Sequence, residues 1–585
     1  MKSSRVLYKF DSFCLDAEER VLLREGHVVP LPAKAMSTLI VLVRNEGHLV
    51  EKDVLMSEVW REEFVEEGNL AQHIFMLRRA LGETSDSPVY IETVPRRGYR
   101  FVGKLKEVVD EDRDQVISSV AILPFVNASG NPSMEYLSDG ITENILTRLS
   151  RLPQLKVMAR STVFRYKGLA VDPQEVGKRL EVRAVMMGRV QQLGEQLIVS
   201  AELVDAQDGS LIWGDRYHRQ ASDIFLMQED LASEISERLR LRLTKTQRAS
   251  LTKRFTEDTE AYELYLKGRY SWNKRSDTDL RRAVDYFRQA IVKDSNFALA
   301  YTGLADSLLL LALLGAEAPR KVMGEAKTAA SKAIHLDDEL GEAYASLAQI
   351  KVAYDWDWEG ARSDFQTALR LSPAYPTAHQ WYGEFLMAMG ETEQGLTELR
   401  RARDLDPLSL IINTDLGLHL HWAGQSDQAI EQLECALELE PNFFRAHFYL
   451  GAVYVSKYMA REAVAEMETA IGLTENPYTL AGVGHAYALF DERAKAEAVL
   501  ERLLQLAQER YVSPATIALL HAGFPDHLDE TLQCLNRAFE HRAGFLIWLN
   551  ICPTFDRIRT DARFVDLLRR IGLPTSAALP EPSKK

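Results

Sequence analysis

Cysteine is scarce in this sequence. Four of 585 residues carry a thiol (Cys14, Cys435, Cys534 and Cys552), and no two stand at Cys-x-x-Cys spacing. Neither a zinc site of that type nor a disulfide framework is indicated. The four read as small buried hydrophobes of a reducing compartment. Long apolar runs are missing too. The longest centres on Leu308 to Leu314, far short of the ~20 residues that a membrane-spanning helix needs, and reads as a buried helix. The start, MKSSRVLYKFDS, lacks the apolar stretch of a secretory signal. Net positive charge is absent: 70 Lys and Arg against 85 Asp and Glu leave −15. That excludes a basic coat over the whole chain, but not one small DNA-reading face. There is no Gly-rich phosphate loop, no His-Glu-x-x-His helix and no serine elbow, so no catalytic set, cofactor or metal is expected. What is present is the composition of folded protein, 46% hydrophobic and 26% charged, at a length for three to five domains.

Three textures follow one another. Residues 1–105 mix strand-like runs with helices. An acidic linker, 106–116, holds Asp110, Glu111, Asp112 and Asp114. Residues 117–245 alternate strands and helices. From 259 to 544 the chain is helical and repetitive, followed by a capping segment, 545–573, and a tail, 574–585, expected to be disordered. Units starting at Pro376, Leu410 and Phe444 are spaced by 34 residues. Each has Gly at its eighth position (Gly383, Gly417, Gly451) and a small residue at its twentieth (Gly395, Ala429, Ala463). A large apolar residue follows (Leu399, Leu433, Met467), then alanine (Ala402, Ala436, Ala470). Small residues let two helices cross closely, large ones fill the groove beside them, and Pro407 and Pro441 end the second helix. The pattern resembles the tetratricopeptide repeat, with about eight copies.

Residues 67–81, EGNLAQHIFMLRRAL, place Leu70, Ile74, Leu77 and Leu81 on one helical stripe. Asn69, Gln72, Phe75, Met76 and Arg79 fall opposite, with His73 and Arg78 on the flanks. Such a face suits the major groove, with base readers central and phosphate contacts at the edges. An amphipathic helix from Ala33 to Asn45 and a second from Glu51 to Trp60 precede it. Strand 90–94, a turn carrying Arg96, Arg97 and Gly98, and strand 99–102 follow. Two arginines on a hairpin tip suit a narrow minor groove. Residues 68–106 carry seven Lys/Arg against three Asp/Glu. The stretch resembles the OmpR/PhoB-type winged helix through Pro30-Leu31-Pro32, Glu46-Gly47, Val59-Trp60, Asn69-Leu70, His73-Ile74, Leu77 to Gly82 and Gly98-Tyr99-Arg100-Phe101. The resemblance implies that Trp60, Asn69, His73, Arg78 and Tyr99 touch phosphates and that Gln72 and Met76 face bases. It also implies that Arg96 or Arg97 enters the minor groove. Phe75 and Met76 depart from the basic or small residues common there. They suit either thymine methyls or a neighbouring protein surface, and Trp60 also suits a buried anchor for its helix.

In the middle region, Val120 to Phe125 reads as a buried strand. Ser138-Asp139 reads as the cap of a helix through Ile141, Leu146 and Leu149. A strand is expected over 155–163, and Leu197 to Val204 alternates as a half-buried strand between turns at Gly194 and Asp208-Gly209. Trp213 and Tyr217 lie on the next strand, and residues 223–243 form a helix. VAILPF and DGITENILTRLSRL resemble the N-terminal domain of TolB-like proteins. His419 and His421, two apart on a helix, make a poor metal pair.

The expected architecture is therefore multidomain: an α+β winged helix, an α/β TolB-like domain and an all-α tetratricopeptide solenoid. The expected function is sequence-specific DNA binding that controls transcription, in the cytoplasm and away from membranes. No receiver domain is expected ahead of the winged helix, and the repeats are expected to receive the signal. Partners are double-stranded DNA, RNA polymerase, an unknown protein or peptide at the repeats, and a further copy of the chain on DNA. For the peptide, Tyr344, His379, Trp381, Tyr382, His447 and Tyr449 are candidate contacts, some of which must instead be core. The rival is an interaction scaffold whose winged helix binds protein. An enzyme finds no support in the residues.

Overall fold

The computed structural model describes residues 6–17, 20–24, 27–29, 31–59, 67–83, 90–95, 97–109, 117–150, 152, 154–220, 223–239, 241, 243–244 and 253–575. It divides into two compact units. One gathers residues 1–120, 152–156 and 232–249; the other gathers 121–151, 157–231 and 250–585.

The first unit opens with short antiparallel strands, β1 (Val6–Phe10), β2 (Phe13–Asp16), β3 (Val21–Arg24) and β4 (His27–Val29). Helix α1 (Ala33–Arg44) follows, then β5 (Leu49–Glu51), α2 (Lys52–Val59), α3 (Glu67–Ala80), β6 (Ile91–Val94), β7 (Gly98–Phe101) and β8 (Lys106–Val109). One sheet runs β4-β3-β2-β1-β8 and the other β5-β7-β6. Strand pairing thus continues to Val109, where the acidic stretch begins. Leu39, Val43, Leu55, Leu70, Ile74, Leu77, Leu81, Ile91 and Phe101 form a shared core. Phe10 joins both sheets to it, with ring centroids 5.1 Å from Phe101 and 5.5 Å from Tyr90.

Next come β9 (Ser119–Ile122), β10 (Val126–Asn127), α4 (Glu135–Ser150), β11 (Lys156–Val157), α5 (Arg160–Phe164) and α6 (Pro173–Leu180). Three ten-residue strands, β12 (Ala184–Leu193), β13 (Gln196–Asp205) and β14 (Leu211–Gln220), and helix α7 (Ile224–Arg238) complete the region. The sheet order is β11-β9-β12-β13-β14, with β10 parallel to β12. Gly194 and Gly209 turn these strands at positive φ. Two expectations give way here. The strand expected over 155–163 is two residues long and yields to α5. Asp139 is no cap, because α4 starts at Glu135 and carries Asp139 into its second turn. There its carboxylate accepts from Lys167 Nζ at 2.6 and 2.7 Å.

Eight antiparallel helix pairs follow, the first Thr259–Asn273 with Asp277–Lys293 and the last Pro514–His521 with Leu528–Glu540. The helices that open three of them start at Pro376, Leu410 and Phe444. Close crossing explains the small residues: a Cβ on Gly383 would lie 2.8 Å from the Gly395 carbonyl oxygen. The second helices are amphipathic, and several of the first are buried far more widely; Leu410–Trp422 hides ten consecutive residues from Ile412 to His421. A helix apolar on every side needs cover on every side. Part of it comes from the chain's own end, through the turns Gly544–Trp548 and Pro553–Ile558 and the helix Ala562–Ile571. Leu546, Ile547, Leu549, Cys552 and Phe555 are buried. The Trp548 ring stands 5.2 Å from His419 and 5.4 Å from Trp422, and Asn550 donates to the Ala388 carbonyl at 2.7 Å.

Candidate nucleic-acid interface

Helix α3 turns Leu70, Ile74, Leu77 and Leu81 into the core. Gln72, Phe75 and Arg79 are exposed on its other side, Phe75 at 66%, while His73 and Met76 are half-buried. The Arg79 side chain has no hydrogen bond or ion pair to any described residue. At the far end of the β6–β7 hairpin, exposed Arg97 stands 3.6 Å from Glu51. The outward face of α3 and Arg97 thus leave two guanidinium groups in solvent.

Arg78 is placed differently. Its guanidinium donates to the Ile91 carbonyl at 2.7 Å and to Thr93 Oγ1 at 2.8 Å, and its Nε lies 3.3 Å from Glu83. The Glu83 side chain is 1% exposed and also accepts the backbone N–H of Tyr90 (2.5 Å) and of Ile91 (2.9 Å). Arg78 and Glu83 together fasten the end of α3 to the first strand of the hairpin, which fixes the angle between the helix and the arginine-bearing turn. Sequence reasoning missed Glu83; its place next to Gly82, whose φ is +77°, was the available signal. Tyr90 donates to Asp11 at 2.8 Å, and burial with that bond pushes its phenol up to about 12. Tyr99, expected at phosphates, is 8% exposed and belongs to the core, so the alternation of β7 turns it inward. Gly98 has no room for a side chain, because a Cβ would fall 2.0 Å from the Val50 carbonyl oxygen. Trp60 and Arg96 lie outside the described residues, as does the side chain of Asn69.

The repeat candidates sort by their partners. His379 sets Nδ1 2.6 Å from Glu398 and Nε2 3.0 Å from the Pro373 carbonyl oxygen. His447 repeats this with Glu466 at 2.6 Å and Pro441 at 2.9 Å. The repeat between them uses Asn413, which donates to Pro407 at 2.9 Å and accepts from Gln432 at 2.7 Å. The fourth position of three successive units is thus a polar tie between helices, a periodicity that was present in the sequence and overlooked. Trp381, Tyr382 and Tyr449 are buried, and Tyr344 is half-buried. Near them Gln380 donates to Glu384 at 3.0 Å and to Asp415 at 2.7 Å, and Arg445 stands 3.7 Å from Asp415. Burial raises both carboxyl groups above their ordinary range. Burial also lowers His419, His421 and His485 to about 4. Among the described residues no group of three or more His, Cys, Asp or Glu is placed to hold a metal ion. No described helix is long and apolar enough to cross a membrane.

Residues 26–101 match the family described as "Transcriptional regulatory protein, C terminal". Residues 116–252, set above beside TolB-like proteins, match "HilA/YgeH-like transcriptional regulator, second domain". Transcriptional regulator HilA of Salmonella typhimurium is 27% identical over 409 residues, 68% of this chain and 70% of that protein. "Putative adenylate cyclase 3" of Rhizobium meliloti is 35% identical over 190 residues, and the match spans 32% of each chain. The solved structure of YrrB, a TPR protein with an unusual peptide-binding site, is 23% identical over 32% of this chain and 93% of that one, at a TM-score of 0.24. The matched families and the HilA relative are transcriptional regulators, not enzymes.

Proposed function

We propose that this chain is a cytoplasmic, sequence-specific DNA-binding regulator of transcription whose helical repeats receive a protein or small-ligand signal. The observation that carries the reading is the solvent face of α3, with Gln72, Phe75 and Arg79 exposed over a buried leucine stripe, beside exposed Arg97 on the hairpin. Gln72 and Met76 read bases, Phe75 meets thymine methyls, and Asn69, His73 and Arg79 meet phosphates. Arg96 or Arg97 enters the minor groove, and Trp60 supports the second helix or a phosphate. Arg78 acts chiefly by holding the hairpin in place. Residues 117–245 keep their TolB-like reading as an α/β domain without catalysis. RNA polymerase and a second copy of the chain are the partners on DNA.

The test is a mobility shift of the full chain on duplex DNA across salt concentrations. Neutralising about five phosphates gives a log–log slope of roughly −4 to −5. A flat response at measurable affinity overturns the reading. The 66% exposure of Phe75 favours a second reading, in which this face docks on protein; binding that survives high salt and ignores DNA sequence marks that outcome.

A further inference from the structure

An open surface cleft of about 420 Å³ is lined by Arg320, Tyr354, Asp355 and Arg542. These residues come from three distant parts of the repeat array. Arg320 is the second residue of the helix Pro319–Leu336. Tyr354 and Asp355 end the wide π-type turn Lys351–Asp355 that follows the helix Gly341–Ile350. Arg542 stands two residues past the last helix of the final pair, where the chain leaves it for the closing segment.

The charge in this cleft is unbalanced. Asp355 is its one lining carboxylate, and Lys327 meets that group at 2.6 Å. The Arg320 side chain is exposed and has no hydrogen bond or ion pair to any described residue. Arg542 lies over the Trp356 ring at 3.9 Å and spends one N–H on the Tyr354 carbonyl at 3.4 Å. Stacking on an aromatic face leaves the edge of a guanidinium, with its remaining donors, open to a ligand. Two guanidinium groups lining one cleft suit a compact oxyanion, because guanidinium meets phosphate by paired charge-assisted bonds. No side chain caps the helix that bears Arg320, so the positive end of its dipole adds to the same field.

We propose that this cleft binds a small phosphate monoester, with Arg320 and Arg542 as its two anchors. The volume falls within the range of small-molecule sites, and the excess positive charge excludes amines and metal cations. Because Arg542 begins the closing segment, such a ligand fastens that segment to the second helix pair. This names a ligand class for the signal-receiving role given above to the repeats, although the site itself does not depend on DNA binding.

The test is calorimetric titration of the full chain with glycerol phosphate, inorganic phosphate and succinate in a phosphate-free buffer. The expected result is saturable binding of the monoester, tighter than succinate. Arg320→Ala weakens it at least about tenfold with an unchanged unfolding midpoint, and Arg542→Lys, which keeps charge but loses the fork, weakens it also. Arg79→Ala leaves it unchanged. The proposal is overturned if the monoester fails to saturate by about 20 mM, if Arg320→Ala binds as the parent does, or if succinate binds more tightly. A parallel mobility shift separates the two readings. Phosphate binding without DNA binding removes the regulator reading and leaves this site standing; DNA binding without phosphate binding removes only this site.

Discussion

Arginine does opposite work on the solvent face of the winged helix and around Glu143 in the unit that holds the repeats. On the outward face of α3 and on the hairpin, Arg79 and Arg97 are exposed. In the other unit, Arg269 and Arg160 converge on one carboxylate, Glu143, whose side chain is 15% exposed. Arg269 Nε donates at 2.9 Å, Arg160 Nε at 3.3 Å and Asn273 Nδ2 at 3.2 Å. Burial alone raises the Glu143 carboxyl, but Arg269 and then Arg160 pull it below its ordinary range. An exposed guanidinium keeps its donors for a phosphate and adds little to stability. A buried pair is spent on the fold, and removing one partner strands a charge. The same residue type therefore marks function where it is exposed and architecture where it is buried or tied to neighbours.

The largest expected contrast is with pH. His419, His421 and His485 are held neutral by burial, with folded values of about 4 against ~6.5 in an unfolded chain. Between those values the unfolded chain binds more protons, so stability falls as pH drops from about 6.5 toward 4. Three such groups give at most about 4 kcal/mol per pH unit. Six of the eight tryptophans lie between Trp272 and Trp548, so denaturant titrations followed by tryptophan fluorescence at pH 7, 6 and 5 report this region first. A midpoint that does not move would show that these histidines are free to protonate in the folded state.

Next in size is Glu143→Ala, which leaves Arg269 and Arg160 facing one another and costs about 3 kcal/mol in chemical denaturation of the full chain. Loss below ~0.5 kcal/mol would make the site solvent-screened like any surface pair.

Within the winged helix the contrast narrows to two neighbours. Arg79→Ala leaves stability unchanged and reduces the log–log salt slope of DNA binding by about one. Arg78→Ala, which frees Glu83 and the Ile91 carbonyl, costs about 1–3 kcal/mol of stability and weakens DNA binding with the slope kept. Interchanged results would reverse the roles given to the two residues.

The smallest effect belongs to the repeat ties. His447→Ala removes contacts to Glu466 and to the Pro441 carbonyl, worth about 1 kcal/mol, with DNA binding unaltered. A drop in DNA or partner affinity at full stability would return His447 to the list of recognition residues.

The sequence alone established the helical stripe of α3 and the 34-residue phase. Hydrophobic period and small-residue spacing are local properties, and Leu70, Ile74, Leu77, Gly383, Gly417 and Gly451 carry them openly. The sequence also implied the turns at Gly194 and Gly209 and the alternation along β13. It did not reveal where α4 begins. Asp139 resembles a cap until Glu135, four residues earlier, is seen to start the helix and Lys167 is seen across from it. Nor could it decide which aromatics and histidines of the repeats are free. Trp381, Tyr449, His379 and His447 have the composition of a recognition face. Their placement depends on how the two helices of a unit pack, which sets Glu398 and Pro373 on His379 and Glu466 and Pro441 on His447. The convergence of Glu143 with Arg269, of Trp548 with His419, and of Arg320 with Arg542 is likewise set by tertiary structure. A period fixes which side of a helix is apolar; only the folded chain decides what lies against it.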